Sequence, residues 1–177
     1  MKRLFFIIII TLMPTMFFGQ NFLDKYANQE DVTSMVITKK MFELMGSLSM
    51  DSTDKDVQQY LNLIKSLDNL KVFSTANKKI IADMKSSYSK YMKSAGLEEL
   101  MTVTENGKSI KIAVKTNADG SRIKEMLMFM EGSSEMDPTV LMSMTGNFEL
   151  KEISTLTDRM NIPGGDELKS AAKKQKL

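Results

Sequence analysis

Asn106-Gly107 limits the fold of this chain more than any other pair of residues. The pair accepts the positive φ values of a type I′ turn, the tightest link between two antiparallel strands. Residues 100–105 and 108–115 on either side are rich in β-formers, so the segment reads as a hairpin. Pairing Glu105 with Lys108 places Val103 opposite Ile110 and Met101 opposite Ile112, an apolar row on one face. Asp119-Gly120 offers a second turn into residues 123–130. A two-residue turn there sets Leu127 opposite Ile112 and Phe129 opposite Ile110. Met126, Met128 and Met130 then fall on the other face. Either a helix covers that row as a second layer, or it is an exposed apolar strip of the kind that marks a partner site.

The rest of the chain alternates helix and strand patterns. Phe22, Leu23, Tyr26 and Ala27 have helical spacing, and residues 32–37 read as a strand. Met41, Phe42, Met45 and Leu48 mark one face of a helix. A polar loop over 50–55 follows, where Asp54 or Asp56 is placed to cap a second helix carrying Val57, Tyr60, Leu61, Ile64 and Leu67. Residues 70–74 form a short strand. Ile80, Ile81, Met84, Tyr88, Tyr91 and Met92 predict a third helix that stops near Gly96. After the hairpins, a polar loop over 131–138 leads to a strand at 140–145. A closing helix on Ile153, Leu156, Thr157 and Met160 ends at Pro163-Gly164-Gly165. The order predicts an α+β fold: an antiparallel or mixed sheet of about five or six strands with helices packed on one side.

The N-terminus reads as an export signal. Lys2 and Arg3 precede an uncharged run over 4–18, which breaks at Gly19-Gln20. That run is shorter than the roughly 20 apolar residues of a membrane span. The expected organisation is a signal peptide at 1–19, a single α+β domain at 20–165 and a polar, Lys-rich tail at 166–177. The product is expected to be periplasmic or secreted, with no stable membrane span after cleavage. The chain has 24 basic and 22 acidic residues, and the leader removes two of the basic ones. The neutral remainder argues against nucleic acid as a partner, because phosphate binding needs a basic excess on one face. The chain has no His and no Cys. Cys–His and Ser–His–Asp catalysis, tetrahedral zinc sites, disulfides and a lipid-modified Cys all lose their parts.

Several short patterns still carry candidate chemistry. Met126, Met128, Met142 and Met144 alternate along strands, and thioethers are soft ligands that favour Cu(I). The same spacing suits flexible gap-fillers in a core. Ser87-x-x-Lys90 and Ser121-x-x-Lys124 have the nucleophile–base spacing of penicillin-binding enzymes, but lack their second motifs. They read better as a solvated helix face and a turn. Glu98 and Glu99 are adjacent, so a strand points them to opposite faces. Asp51, Asp54 and Asp56 lack the Gly and closing Glu of a calcium loop. Lys169, Lys173, Lys174 and Lys176 suffice only for weak attraction to an anionic surface.

Ordered segments along the chain resemble a known family. Phe22-Leu23-Asp24-Lys25-Tyr26, Val32-Thr33-Ser34, Ile37-Thr38-Lys39-Lys40-Met41-Phe42 and Leu70-Lys71-Val72-Phe73-Ser74 are similar to it in sequence and order. So are Leu97-Glu98-Glu99-Leu100-Met101, Glu125-Met126-Leu127 and Gly146-Asn147-Phe148-Glu149-Leu150. The resemblance is to domain-of-unknown-function family 4252, small exported proteins of Bacteroidetes. It implies an envelope or secreted α+β domain, often a partner of extracytoplasmic sigma-factor loci, and brings no catalytic residues.

The sequence therefore leads to an exported, non-enzymatic binding or interaction domain of the cell envelope. No catalytic, cofactor or metal residues are expected. The expected partner is another envelope protein, and Met126, Met128 and Met130 form the candidate interaction strip. The alternative is an envelope Cu(I)-binding protein using Met126, Met128, Met142 and Met144.

Overall fold

A computed structural model of the 177-residue chain describes residues 22–47, 55–105, 107–132, 137–149 and 152–153. A 3-10 turn at Asp24–Tyr26 comes first, then strand β1 (Thr33–Thr38), helix α1 (Lys39–Ser47) and helix α2 (Lys55–Ser66). Strand β2 (Leu67–Thr75) and helix α3 (Lys78–Ala95) follow. The chain then runs as a meander: β3 (Glu98–Glu105), β4 (Lys108–Thr116), β5 (Ile123–Glu131) and β6 (Thr139–Phe148). All six strands join one antiparallel sheet in the order β1-β2-β6-β5-β4-β3. The α+β class is the predicted one, and the six-stranded antiparallel sheet falls within the predicted antiparallel or mixed sheet of about five or six strands.

Local chemistry explains the element ends. Asn77 caps α3, its side-chain oxygen accepting from the Lys79 amide at 3.0 Å. Gly96 ends α3 at φ 66°, a conformation a side chain disfavours. Ile80, Met84, Tyr88 and Tyr91 are all buried on one face of this helix.

Both faces of the sheet are apolar. Leu70 and Val72 of β2, Ile110, Ile112 and Val114 of β4, and Val140, Met142 and Met144 of β6 share one buried cluster. Phe42 of α1 and Leu61, Leu63 and Ile64 of α2 complete it, so the α1–α2 pair packs on one side. The alternate residues Phe73, Ala113, Leu127, Phe129 and Leu141 form a second cluster. There the sheet meets Met84, Tyr88 and Tyr91 of α3 and Leu23 and Tyr26 from the 3-10 turn, which add a layer on the opposite side. Strands buried on both faces read as continuous apolar runs, as Leu127 to Met130 does.

The first hairpin has the predicted register: Glu105 pairs with Lys108, Val103 with Ile110 and Met101 with Ile112. The second does not. The loop keeps its predicted frame as far as Thr116 opposite Ile123, and is closed by the Asn117 amide donating to the Arg122 carbonyl at 2.9 Å. A bulge then leaves Lys124 between paired neighbours, and Lys115 pairs with Glu125. One extra residue turns every later side chain to the other face. Ile112 therefore faces Met128 and Ile110 faces Met130, while Leu127 lies opposite Ala113. The Met row thus shares the face of Ile110 and Ile112 instead of opposing it.

The expected signal peptide (1–19), Leu48, most of the polar loop with Asp51 and Asp54, Asn106, the closing helix beyond Ile153 and the tail (166–177) lie outside the described residues. Among the described residues no helix is long and apolar enough to cross a membrane.

Candidate functional site: a polar cleft on the α3 face

Along the α3 side the sheet changes character from one end to the other. One cross-strand row holds Ser34, Phe73, Leu141 and Phe129. The next holds Val36, Lys71, Ser143 and Leu127. The last holds Thr38, Asn69, Thr145, Glu125 and Lys115, polar in all five strands. Two bulges flank this last row, one in β2 between Leu67 and Asn69 and one in β5 at Lys124. Bulges bend a strand and re-aim its side chains, and they gather beside functional sites.

A cleft opens over these rows, lined by Leu23, Asn69, Lys71, Tyr91, Glu125, Ser143 and Thr145, with a cavity of about 40 Å³. At roughly 10–15 Å³ per water-sized occupant, it has room for a head group of about three heavy atoms. The Lys71 ammonium lies 2.5 Å from an Asp24 carboxylate oxygen, and its side chain is only 14% exposed. The Tyr91 hydroxyl donates to Glu125 Oε1 at 2.5 Å. Burial first, then the Glu125 carboxylate, push the Tyr91 phenol well above its ordinary range, so it stays a donor. The ring of Phe22 stacks on Tyr91, with centroids 5.5 Å apart. Asn69 Oδ1 is buried and has no hydrogen-bond partner. Lys71 pairs with Asp24, and Lys115 stands opposite Glu125 in the last row, so acidic and basic groups around these rows are equal in number. The arrangement offers an acceptor without a donor beside an ion-paired ammonium and the hydroxyls of Tyr91, Ser143 and Thr145.

A second polar cluster lies on the same face. The Tyr26 hydroxyl donates to Asp83 Oδ2 at 2.6 Å and accepts from the Ser87 hydroxyl at 2.8 Å. Lys25 adds an ammonium 2.5 Å from the same Asp83 oxygen. Its hydrogen bond, then that of Tyr26, hold the Asp83 carboxyl below its usual range. Ser87 is buried against Tyr26, whereas Lys90 is exposed, so the structure does not join them as nucleophile and base. Ser121 lies in an exposed bend, where its amide donates to Asp119 Oδ1 at 2.8 Å, and Lys124 is exposed at the bulge in β5. Glu98 and Glu99 are both exposed on the edge strand β3.

Met126, Met128, Met130, Met142 and Met144 are core residues. Met126 and Met128 have no exposure and Met130 has 4%, so of the two alternatives for this row the structure shows burial. As an exposed strip the row does not exist. Met126 pairs with Met144 and Met128 with Met142, which brings the four candidate Cu(I) ligands into one block. That block is fully buried. Among the described residues no group of three or more acidic, His or Cys side chains is placed to hold a metal.

The sequence reading missed Asn69, Lys71, Glu125, Ser143 and Thr145. Their signal was the alternation of Ser143 and Thr145 with Met142 and Met144, polar positions between core positions in one strand. Only the pairing of β2 with β6 shows that these positions meet Asn69 and Lys71.

No curated protein and no solved structure matches the chain. A family model described as Domain of unknown function (DUF4252) matches residues 26–156, which include every sheet residue of the cleft, and the chain belongs to that family.

Proposed function

We propose that the chain is an exported, non-enzymatic binding domain of the cell envelope, and that its cleft takes a small polar head group presenting an N–H donor. The observation that carries this reading is the buried, unpartnered Asn69 Oδ1. Leaving such an acceptor unpaired costs about 1–3 kcal/mol, which a donor from a ligand would recover. An unpaired acceptor takes an N–H donor, which an amine or amide brings and a carboxylate does not. A lysine or amino terminus of another envelope protein carries the same donor as a free amine. Titrating ¹⁵N-labelled protein with methylammonium, glycinamide and acetate tests the reading. Saturable amide shifts at Asn69, Lys71, Glu125, Ser143 and Thr145 with the two donors, and none with acetate, support it. Equal response to acetate, or no saturable shift in these rows, rejects it.

The export part rests on Lys2, Arg3 and the apolar run after them. Amino-terminal sequencing of protein from the envelope fraction is expected to start near Gln20, and a start at Met1 would overturn it. A second reading, Cu(I) held by Met126, Met128, Met142 and Met144, is favoured by their cross-strand adjacency. It is opposed by the complete burial of the block. A Cu(I) titration against a competing chelator separates the two, and failure to compete ends the copper reading.

A further inference from the structure

The two edges of the sheet are built differently. β3 carries Glu98, Glu99 and Glu105 and is interrupted by a bulge between Glu99 and Met101. Charges and bulges are the devices that keep an edge strand from pairing with another chain. β1, the opposite edge, reads Thr-Ser-Met-Val-Ile-Thr, with no charge and no proline. Its pairing with β2 runs from Thr33 to Thr38 without a register shift. The exposed large hydrophobic residues among those described also collect here. Val36 on β1 is 46% exposed, and Met41 and Leu44 on α1, which leaves directly from β1, are each 51% exposed.

We propose that β1 is a self-association edge, and that its occupant is β1 of a second copy of this chain, paired antiparallel about a two-fold axis at Val36. Two features of the strand select that partner. A two-fold axis normal to the sheet keeps each face on its own side, so paired residue numbers must sum to an even value. With Val36 opposite Val36 of the second copy, Met35 meets Ile37 and Ser34 meets Thr38: apolar faces apolar, and hydroxyl faces hydroxyl. Moving the axis to Met35 sets Ser34 against Val36 and Thr33 against Ile37, and the match is lost. Charge makes the same choice. Glu30 and Asp31 precede β1, and Lys39 and Lys40 follow it, all of them exposed. Antiparallel pairing brings the acidic end of each copy to the basic end of the other, whereas parallel pairing sets like beside like. Asp31 already accepts from Asn77, Lys39 from its side contacts Asp68, and Lys40 contacts Glu43. All are surface pairs, which exchange partners at little cost. The result is one continuous sheet of twelve strands with the two α1 helices beside the seam.

Sedimentation velocity over a concentration series of the full chain tests this directly. The expected result is a concentration-dependent species of twice the monomer mass, which Val36→Lys returns to monomer. The chain has no cysteine, so cross-linking by Val36→Cys reads the register. Val36→Cys is expected to form an intermolecular disulfide on oxidation, and Ser34→Cys is not, because Ser34 faces Thr38 of the second copy. The cysteine pair keeps the test intact if Val36→Lys fails to fold. A monomer at every concentration, a dimer indifferent to Val36→Lys, or equal cross-linking at both positions overturns the proposal.

Discussion

Tyr26 of the 3-10 turn and Tyr88 of α3 belong to one buried cluster, yet their hydroxyls have opposite surroundings. Tyr26 is held between Asp83 and Ser87, whereas the Tyr88 hydroxyl is buried with no partner. Removing an oxygen that is bonded loses the bond, while removing one that is orphaned removes a desolvation penalty. Tyr26→Phe is therefore expected to lower the unfolding free energy by about 1–2 kcal/mol, and Tyr88→Phe to leave it unchanged or raise it by up to about 1 kcal/mol. Urea denaturation of the two variants checks the sign of each. The same side chains set the alkaline limit of the fold. Burial pushes the Tyr88 phenol up to about 12, and burial with a neighbouring carboxylate raises Tyr26 and Tyr91 further. Above about pH 10 the unfolded chain loses its phenolic protons first, so the folded state binds more protons. The contribution is complete below pH 10 and is lost as pH rises towards 12. Melting temperature is expected to fall over that window, and to fall less steeply in Tyr88→Phe. Sequence could place Tyr88 and Tyr91 on one helical face and Tyr26 in a separate opening segment, but not tell which hydroxyl finds a partner. The partners of Tyr26 are 57 and 61 residues away.

At the scale of elements, each strand was legible from its local pattern, but its ends and inserted residues were not: Leu67, expected on the second helix, opens β2, and bulges interrupt β2, β3 and β5. The Asn106-Gly107 pair predicts the β3–β4 register from sequence alone, and the observed pairs follow that prediction. The bulge at Lys124 has no comparable local signature. It is selected by packing, because it lets Met126, Met128 and Met130 meet α2 across one face while Leu127 and Phe129 meet α3 across the other. A similar constraint acts at the start of β2, where Gly146 faces Leu67 across a bulge. A Cβ on Gly146 would press into the Ser66 carbonyl and stand 2.9 Å from Leu67 Cα, both backbone atoms that cannot rotate away. Gly146→Ala is expected to lose about 1–3 kcal/mol, the usual range for forcing an atom into a filled site. The Asn69 row begins at this bulge, so the variant is also expected to shift the amide resonances of Asn69 and Thr145. An alanine variant with unchanged stability and unchanged spectrum would show that β2 can move aside.

Across the whole molecule, the sheet is covered on both sides, and its polar residues on the α3 side gather at one end. An apolar core holds the sheet between α1–α2 and α3, and the uncovered polar end leaves Asn69, Lys71 and Glu125 around a cleft. Membership of a family without an assigned function supplies no chemistry, so the functional claim rests on this geometry. The central claim is that Asn69 is kept unpartnered for a ligand. If so, the residue lowers the stability of the free protein, and an apolar side chain of similar shape should fold better and bind worse. The decisive measurement is the unfolding free energy of Asn69→Leu against the parent protein, taken with the amine titration on both. The account predicts a gain of about 1 kcal/mol or more together with loss of the amide shifts at Lys71, Glu125, Ser143 and Thr145. A loss of stability in Asn69→Leu, with the titration response intact, would contradict it and make Asn69 a structural residue.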